Sequence, residues 1–126
     1  MPSRDIKDCV PILQEIWSQA SQIYNEKYPD EPYVFLTCTH RTNAEQKELY
    51  AKGRTKPGGI VTYIKENGKH NSYPAKAFDV AFQKNKKCDW NKIHFMRFAK
   101  IVKELTDEVK WGGDWKRFKD MPHFEV

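Results

Sequence analysis

Apolar residues recur at three- and four-residue steps near the start of the chain, where Ile12, Leu13, Ile16, Trp17, Ala20, Ile23 and Tyr24 form one stripe. That period predicts an amphipathic helix over about residues 5–28. "YPDEP" then breaks the pattern with two prolines, and "YVFLTCT", Tyr33 to Thr39, is short, β-branched and aromatic, which predicts a buried strand. In "RTNAEQKELYAKG" the residues Thr42 and Glu45 have the spacing of a capping box and Gly53 is a natural stop, so a short second helix is expected from Asn43 to Lys52.

From Arg54 to Ser72 the chain is rich in Gly, Pro and Lys and reads as a long mobile loop, with a short strand at Ile60 to Ile64. "AKAFDVAF" alternates as a strand does, with Ala77 and Asp79 on one side and Phe78 and Val80 on the other. A third helix is predicted from about Trp90 to Leu105, its packing stripe made by Phe95, Phe98, Ala99, Ile101, Val102 and Leu105. "EVKWGG" and "HFEV" read as closing strands joined by "DWKRFKDMP". The order αβα, loop, βαββ predicts an α+β fold: a small antiparallel sheet flanked by helices.

Composition narrows this picture. With 126 residues, 39% of them hydrophobic, the chain is expected to form one domain, 1–126. Charges interrupt every apolar window near the N-terminus, so neither a signal peptide nor a stable membrane insertion is expected, and the protein is expected to be made in a cytoplasm as a monomer. Cys9, Cys38 and Cys88 are odd in number and form no CxxC pair, which fits reduced thiols; Cys38, next to His40, is the best case for a reactive one. A net charge of +5 suits a polyanionic partner such as nucleic acid, anionic lipid or cell-wall polymer without choosing among them.

Candidate chemistry gathers in two places. His70 lies in a loop leading to the strand that carries Asp79, and His123 follows Pro122 with Asp120 three residues before it. Two imidazoles and a carboxylate from neighbouring strands suit a catalytic zinc site, which uses three protein ligands and one open position. A second carboxylate, Asp120, then has the separate task of moving a proton. His94 falls beside the apolar stripe of the third helix and reads as structural, Asp114 as a turn residue and Trp111 as core. Asp120 on its own also fits a surface turn paired with Lys116 or Lys119.

Together "THRTNAEQKELYAKGRTKPGGIVTY", "KHNSYPAKAFDVAF" and "WGGDWKRFKDMPHFEV" resemble the zinc-dependent L-alanyl-D-glutamate and D-Ala-D-Ala peptidases that cut peptidoglycan stems, above all phage endolysins of that group. The resemblance covers about residues 34–126. It implies one zinc ion held by His70, Asp79 and His123 at the sheet edge, with Asp120 as general base and acid. It also implies that Arg41, followed by Glu45 and Gln46, holds substrate and the developing oxyanion. "WGGDW" is expected to wall the cleft, and Glu125, on the same strand face as His123, to orient that ring. Two features depart from the family pattern: the spacing from His70 to Asp79 is longer than usual, and Cys38, Thr39 and His40 replace Ser-Gly-Tyr before Arg41.

The implied activity is hydrolysis of the L-alanyl-D-glutamate bond by an endolysin that accumulates in the host cytoplasm and reaches the periplasm and wall once the membrane is opened. The basic segment Lys52 to Lys69 is then a candidate for substrate contact or closure over the cleft. A D-Ala-D-Ala carboxypeptidase or dipeptidase is the rival within the same chemistry. A basic nucleic-acid-binding module, with Lys and Arg on phosphate and Trp or Tyr on bases, is the rival outside it; the ordered His, Asp, Asp and His argue against a nucleic-acid partner.

Overall fold

The computed structural model describes residues 2–126. Three α-helices, α1 (Pro11–Lys27), α2 (Asn43–Ala51) and α3 (Lys92–Leu105), accompany five strands among the described residues: β1 (Tyr33–Cys38), β2 (Ala77–Lys84), β3 (Lys87–Cys88), β4 (Lys110–Trp111) and β5 (His123–Glu125). The strands form one antiparallel sheet in the order β1-β2-β5-β4, with β3 paired to the far end of β2. The fold is α+β, as the hydrophobic pattern predicts.

Alternation along the strands divides the sheet into two faces with different jobs. Phe78, Val80 and Phe82 of β2 and Phe124 of β5 are fully buried with Leu13, Ala20 and Tyr24 of α1 and Phe98 and Val102 of α3. Ring contacts tie the layers: Trp17 meets Phe78 and Phe98 at 5.8 and 6.0 Å, Tyr24 meets Phe82 at 5.3 Å, and Phe98 meets Phe124 at 5.4 Å. Truncating a ring such as Phe98 to alanine costs about 3–5 kcal/mol in a core of this kind. Asp79, His123 and Glu125 alternate to the other face, so the helices stabilise the sheet without covering its polar side.

The first helix is shorter than the expected span of about residues 5–28. Ile6–Asp8 is a separate 3-10 turn capped by the Asp5 side chain, and α1 begins at Pro11. Proline is tolerated only in the first turn of a helix, and Cys9 just before it is engaged in a bridge with Ala75, so the chain cannot run as one helix from residue 5. The capping box of α2 is present: Thr42 Oγ1 accepts from the Glu45 N–H at 3.1 Å, and Glu45 Oε1 accepts from the Thr42 N–H at 2.9 Å. Gly53 follows at φ +77°, the left-handed geometry expected beyond a helix end.

One expected strand is absent among the described residues. Residues 60–64 form no strand: Thr62 and Ile64 give their backbone carbonyls to Arg54 and Gln46, which leaves no ladder to build. The segment is irregular but tethered, since Asn43 and Asn67 also bond reciprocally and Lys47 pairs with Glu66 at 3.4 Å. The β2–β3 hairpin, in turn, has no counterpart in the sequence reading. Asn85 and Lys86 turn it at φ +53° and +64°, and lysine in that position carries none of the usual glycine signal.

Candidate metal centre and cleft

Register places the site. Asp79 on β2 lies directly opposite Cys38 of β1 on one side and His123 of β5 on the other. His70 comes in from the preceding loop, which is pinned beside the sheet by the bonds Arg41 N–H to His70 O at 2.9 Å and Lys76 N–H to Lys69 O at 2.8 Å. Both rings then meet the same oxygen: His70 Nε2 and His123 Nδ1 each lie 3.1 Å from Asp79 Oδ1.

The outer nitrogen of each imidazole is anchored. His70 Nδ1 donates to the Thr39 carbonyl at 2.7 Å, and His123 Nε2 to Glu125 Oε1 at 2.7 Å. Ligating histidines are typically held in this way, because a bond at one nitrogen fixes the tautomer and turns the other toward the metal. Two imidazoles and a carboxylate with their free atoms facing a cleft therefore fit a divalent transition ion such as zinc. Cys38, His70 and Asp79 also offer donor atoms within 4.8 Å of one another. The thiol, however, sits 3.7 Å from His70 Nδ1, the nitrogen that Thr39 already occupies, and it accepts from Arg41 Nη2 at 3.3 Å. The sequence reading set Cys38 beside His40; the bulge between Leu36 and Cys38 instead directs the thiol to His70, while His40 packs on Tyr73 at 5.2 Å.

Charge reinforces the geometry. Burial penalises the charged His70 ring, but the Asp79 carboxylate beside it prevails and raises its pKa to about 10. Burial likewise opposes the charge on Asp79, yet His70 and His123 hold its carboxyl well below the usual range. Asp120 moves the other way: burial, then the negative charge of Asp79, raise its pKa. Two carboxylates in one site are thus pushed apart, one fixed as an anion and the other drawn toward holding a proton.

A cleft of about 410 Å³ opens on this cluster. His70, Asp79, Asp120, His123, Glu125 and Arg41 all line it, so the structure brings these six sequence-predicted residues to one place. Arg41 is braced by Gln46 Oε1, which accepts from Nη1 at 2.8 Å, and its Nη2 lies 4.0 Å from Asp79 Oδ2. Gln46 is buried and also donates to the Ile64 carbonyl at 2.7 Å, tying the arginine to the loop that walls the cleft. Glu45 does not line the cleft; it is the capping residue of α2.

The members of "WGGDW" divide the work. Trp115 lines the cleft with its ring 5.2 Å from His123, whereas Trp111 faces inward, donating Nε1–H to the Met121 carbonyl at 2.7 Å and stacking on Phe124. The Gly112 carbonyl accepts from the N–H groups of Trp115 and Asp120 at 3.2 and 3.0 Å. Asp114 pairs with Lys103 at 2.7 Å, and His94 is buried against Phe82, as their structural readings require. Phe118 meets Tyr63 edge-on at 4.7 Å across the cleft mouth, with φ at +42°, a region that bulky residues rarely adopt. Sequence reasoning missed that pair, since nothing local marks two exposed aromatics 55 positions apart as neighbours.

The sequence profile of the peptidase M15 family, described as D-alanyl-D-alanine carboxypeptidase, matches residues 7–126. The chain belongs to the M15 peptidase family. M15 peptidases are metallopeptidases, in keeping with the donor set around Asp79. This M15 chain is 41% identical over 108 residues to the peptidoglycan L-alanyl-D-glutamate endopeptidase CwlK of Bacillus subtilis, a match covering 74% of the chain and 60% of CwlK. It therefore spans somewhat less than two thirds of that relative's length. The M15 fold here is also that of the Serratia marcescens L-Ala D-Glu endopeptidase ChiX, with a TM-score of 0.74 at 21% identity, covering 100% of this chain and 88% of that one.

Proposed function

We propose that this protein is a zinc-dependent L-alanyl-D-glutamate endopeptidase that cuts peptidoglycan stems, with residues 1–126 acting as a single catalytic domain. The observation that carries the reading is the convergence of His70 and His123 on one oxygen of Asp79, with Asp120 and Arg41 lining the same cleft. The 41% identity to CwlK supports the choice of bond.

His70, Asp79 and His123 would hold the ion through Nε2, a carboxylate oxygen and Nδ1. When bound, zinc acts as a Lewis acid and lowers the pKa of water in the site. Asp120, its pKa raised by burial and then by the charge of Asp79, takes the proton of the attacking water and returns it to the leaving amine of D-glutamate. Arg41, held against Gln46, offers its guanidinium to the oxyanion. Trp115 and the Tyr63–Phe118 pair border the peptide path.

The blocks resembling phage endolysins support a role in host lysis, in which the protein accumulates in the cytoplasm and acts on the wall after another factor opens the membrane. A charge of +5 favours adhesion to an anionic wall, and no helix among the described residues is long and apolar enough to cross a membrane. The reading takes the protein as a monomer with no nucleic-acid partner.

The family description favours a second reading, release of terminal D-alanine. Digestion of purified peptidoglycan with and without chelator, followed by mass spectrometry of the new termini, separates the two. Chelator-sensitive fragments beginning at D-glutamate, restored by zinc, are expected. Terminal D-alanine alone would establish the carboxypeptidase reading instead, and no release from any wall type would overturn both.

A further inference from the structure

Trp115 borders two concavities. One is the cleft; the other, of about 450 Å³, lies where α3 ends and β4 begins, and is lined also by Trp111, Lys103, Asp107, Lys110 and Asp114. Its size is that of a small-ligand site, typically ~300–1,000 Å³. Among the described residues Trp115 alone is common to both linings, and none of the proposed metal ligands, Asp120 or Arg41 lines the groove.

The lining points to a class of ligand. Two lysines and two aspartates cancel in charge, which suits neither a polyanion nor a cation. Trp111 stacks on Phe124 and carries Lys103 Nζ over its ring at 5.2 Å, so Trp115 is the indole left for a ligand. Donors and acceptors around it suit a neutral, polyhydroxylated molecule, whose C–H face lies on that ring while hydroxyl and acetamido groups reach the charged side chains. The Lys103–Asp114 pair is half exposed and contributes little as an ion pair, so a ligand can exchange with it at small cost. The Asp107 carboxylate has no hydrogen bond or ion pair among the described residues.

We propose that this groove is a saccharide subsite for the amino-sugar strand that carries the stem peptide. The inference builds on the endopeptidase reading: L-alanine, the residue before the scissile bond, is joined directly to the lactyl group of the muramic sugar. A peptide whose L-alanyl carbonyl lies in the cleft thus brings a sugar to within about two residue lengths, ~7 Å of chain, of that site. Trp115 is the side chain over which the substrate passes from cleft to groove.

Two measurements test this. In the first, kcat/KM is compared for a disaccharide-linked stem peptide and the same peptide without sugar, using wild type and a Lys103→Ala, Asp107→Ala double variant. The sugar is expected to raise the wild-type value by about tenfold, chiefly through KM, and the double variant to lose that gain while cutting free peptide normally. Equal rates on both substrates in wild type, or an equal loss on both in the variant, would overturn the proposal. In the second, peptide-free GlcNAc–MurNAc oligosaccharide is titrated into Asp120→Asn with and without the two groove substitutions, followed by tryptophan fluorescence. Saturable binding weakened by those substitutions supports the groove; absence of binding overturns it. If neither peptide substrate is cut, the endopeptidase reading fails, and the titration still decides whether the groove holds sugar.

Discussion

Gly112 and Asp120 are in backbone contact, so closely that no side chain fits between them. A Cβ on Gly112 would come within 2.3 Å of the Asp120 carbonyl oxygen, and the Gly112 carbonyl itself accepts the Asp120 N–H at 3.0 Å. The carboxylate proposed to move the proton is therefore set in place by a glycine on another segment. Gly112→Ala must push the Asp120 turn outward, at a cost of about 1–3 kcal/mol in stability and on the order of 100-fold in turnover. Denaturant unfolding and hydrolysis of stem peptide by the zinc-loaded variant check both numbers; normal turnover would detach this contact from catalysis.

Asp120 itself opposes folding in the metal-free protein. Burial and then Asp79 raise its pKa above the unfolded value, so the folded state binds this proton more tightly. The group's contribution is most favourable at low pH and is lost as pH rises through the raised pKa. Asp120→Asn should accordingly raise Tm in chelator at neutral pH, with the advantage shrinking as pH falls through the raised pKa and gone below about 4, while abolishing turnover and leaving zinc bound. A Tm equal to wild type across the range would show that the carboxylate is not in an unfavourable site.

Glu125 holds the outer nitrogen of His123 at 2.7 Å, and the resulting hydrogen bond also keeps its own carboxyl below the usual range. Glu125→Gln keeps the shape but weakens that grip, and zinc affinity measured by chelator competition should fall about 10- to 100-fold with little change in the fold. His123→Ala should lose zinc and activity together. Unchanged affinity in Glu125→Gln would remove the residue from the metal's support.

Arg41→Ala is expected to lower kcat by about 10²–10³ with zinc content intact, the loss typical of one oxyanion contact. Gln46→Ala should follow it at smaller magnitude, because Gln46 Oε1 is what braces the guanidinium and its Nε2 ties the brace to Ile64. A change confined to KM would assign Arg41 to ground-state binding instead.

Much of this architecture was legible in the chain. The stripes of α1 and α3 and the alternation of β2 follow from where apolar residues recur, and the Thr42–Glu45 box needs only a three-residue spacing. Residue type and spacing offered His70, Asp79 and His123 with Asp120 as one candidate set among many, and the family resemblance assigned their roles and added Arg41. Burial by periodicity is a short-range property, and so are caps and prolines.

What the tertiary structure decided was register and approach. Asp79 faces His123 because β2 and β5 pair in one register; a slip of one residue would turn every side chain of one strand to the opposite face. Cys38 reaches His70 through a bulge, Gly112 reaches Asp120 across a turn, and Trp115 comes to stand between cleft and groove. Such contacts join residues far apart in the chain, and their energies depend on distances of a few tenths of an ångström, which become defined only once the packed core fixes the backbone around them.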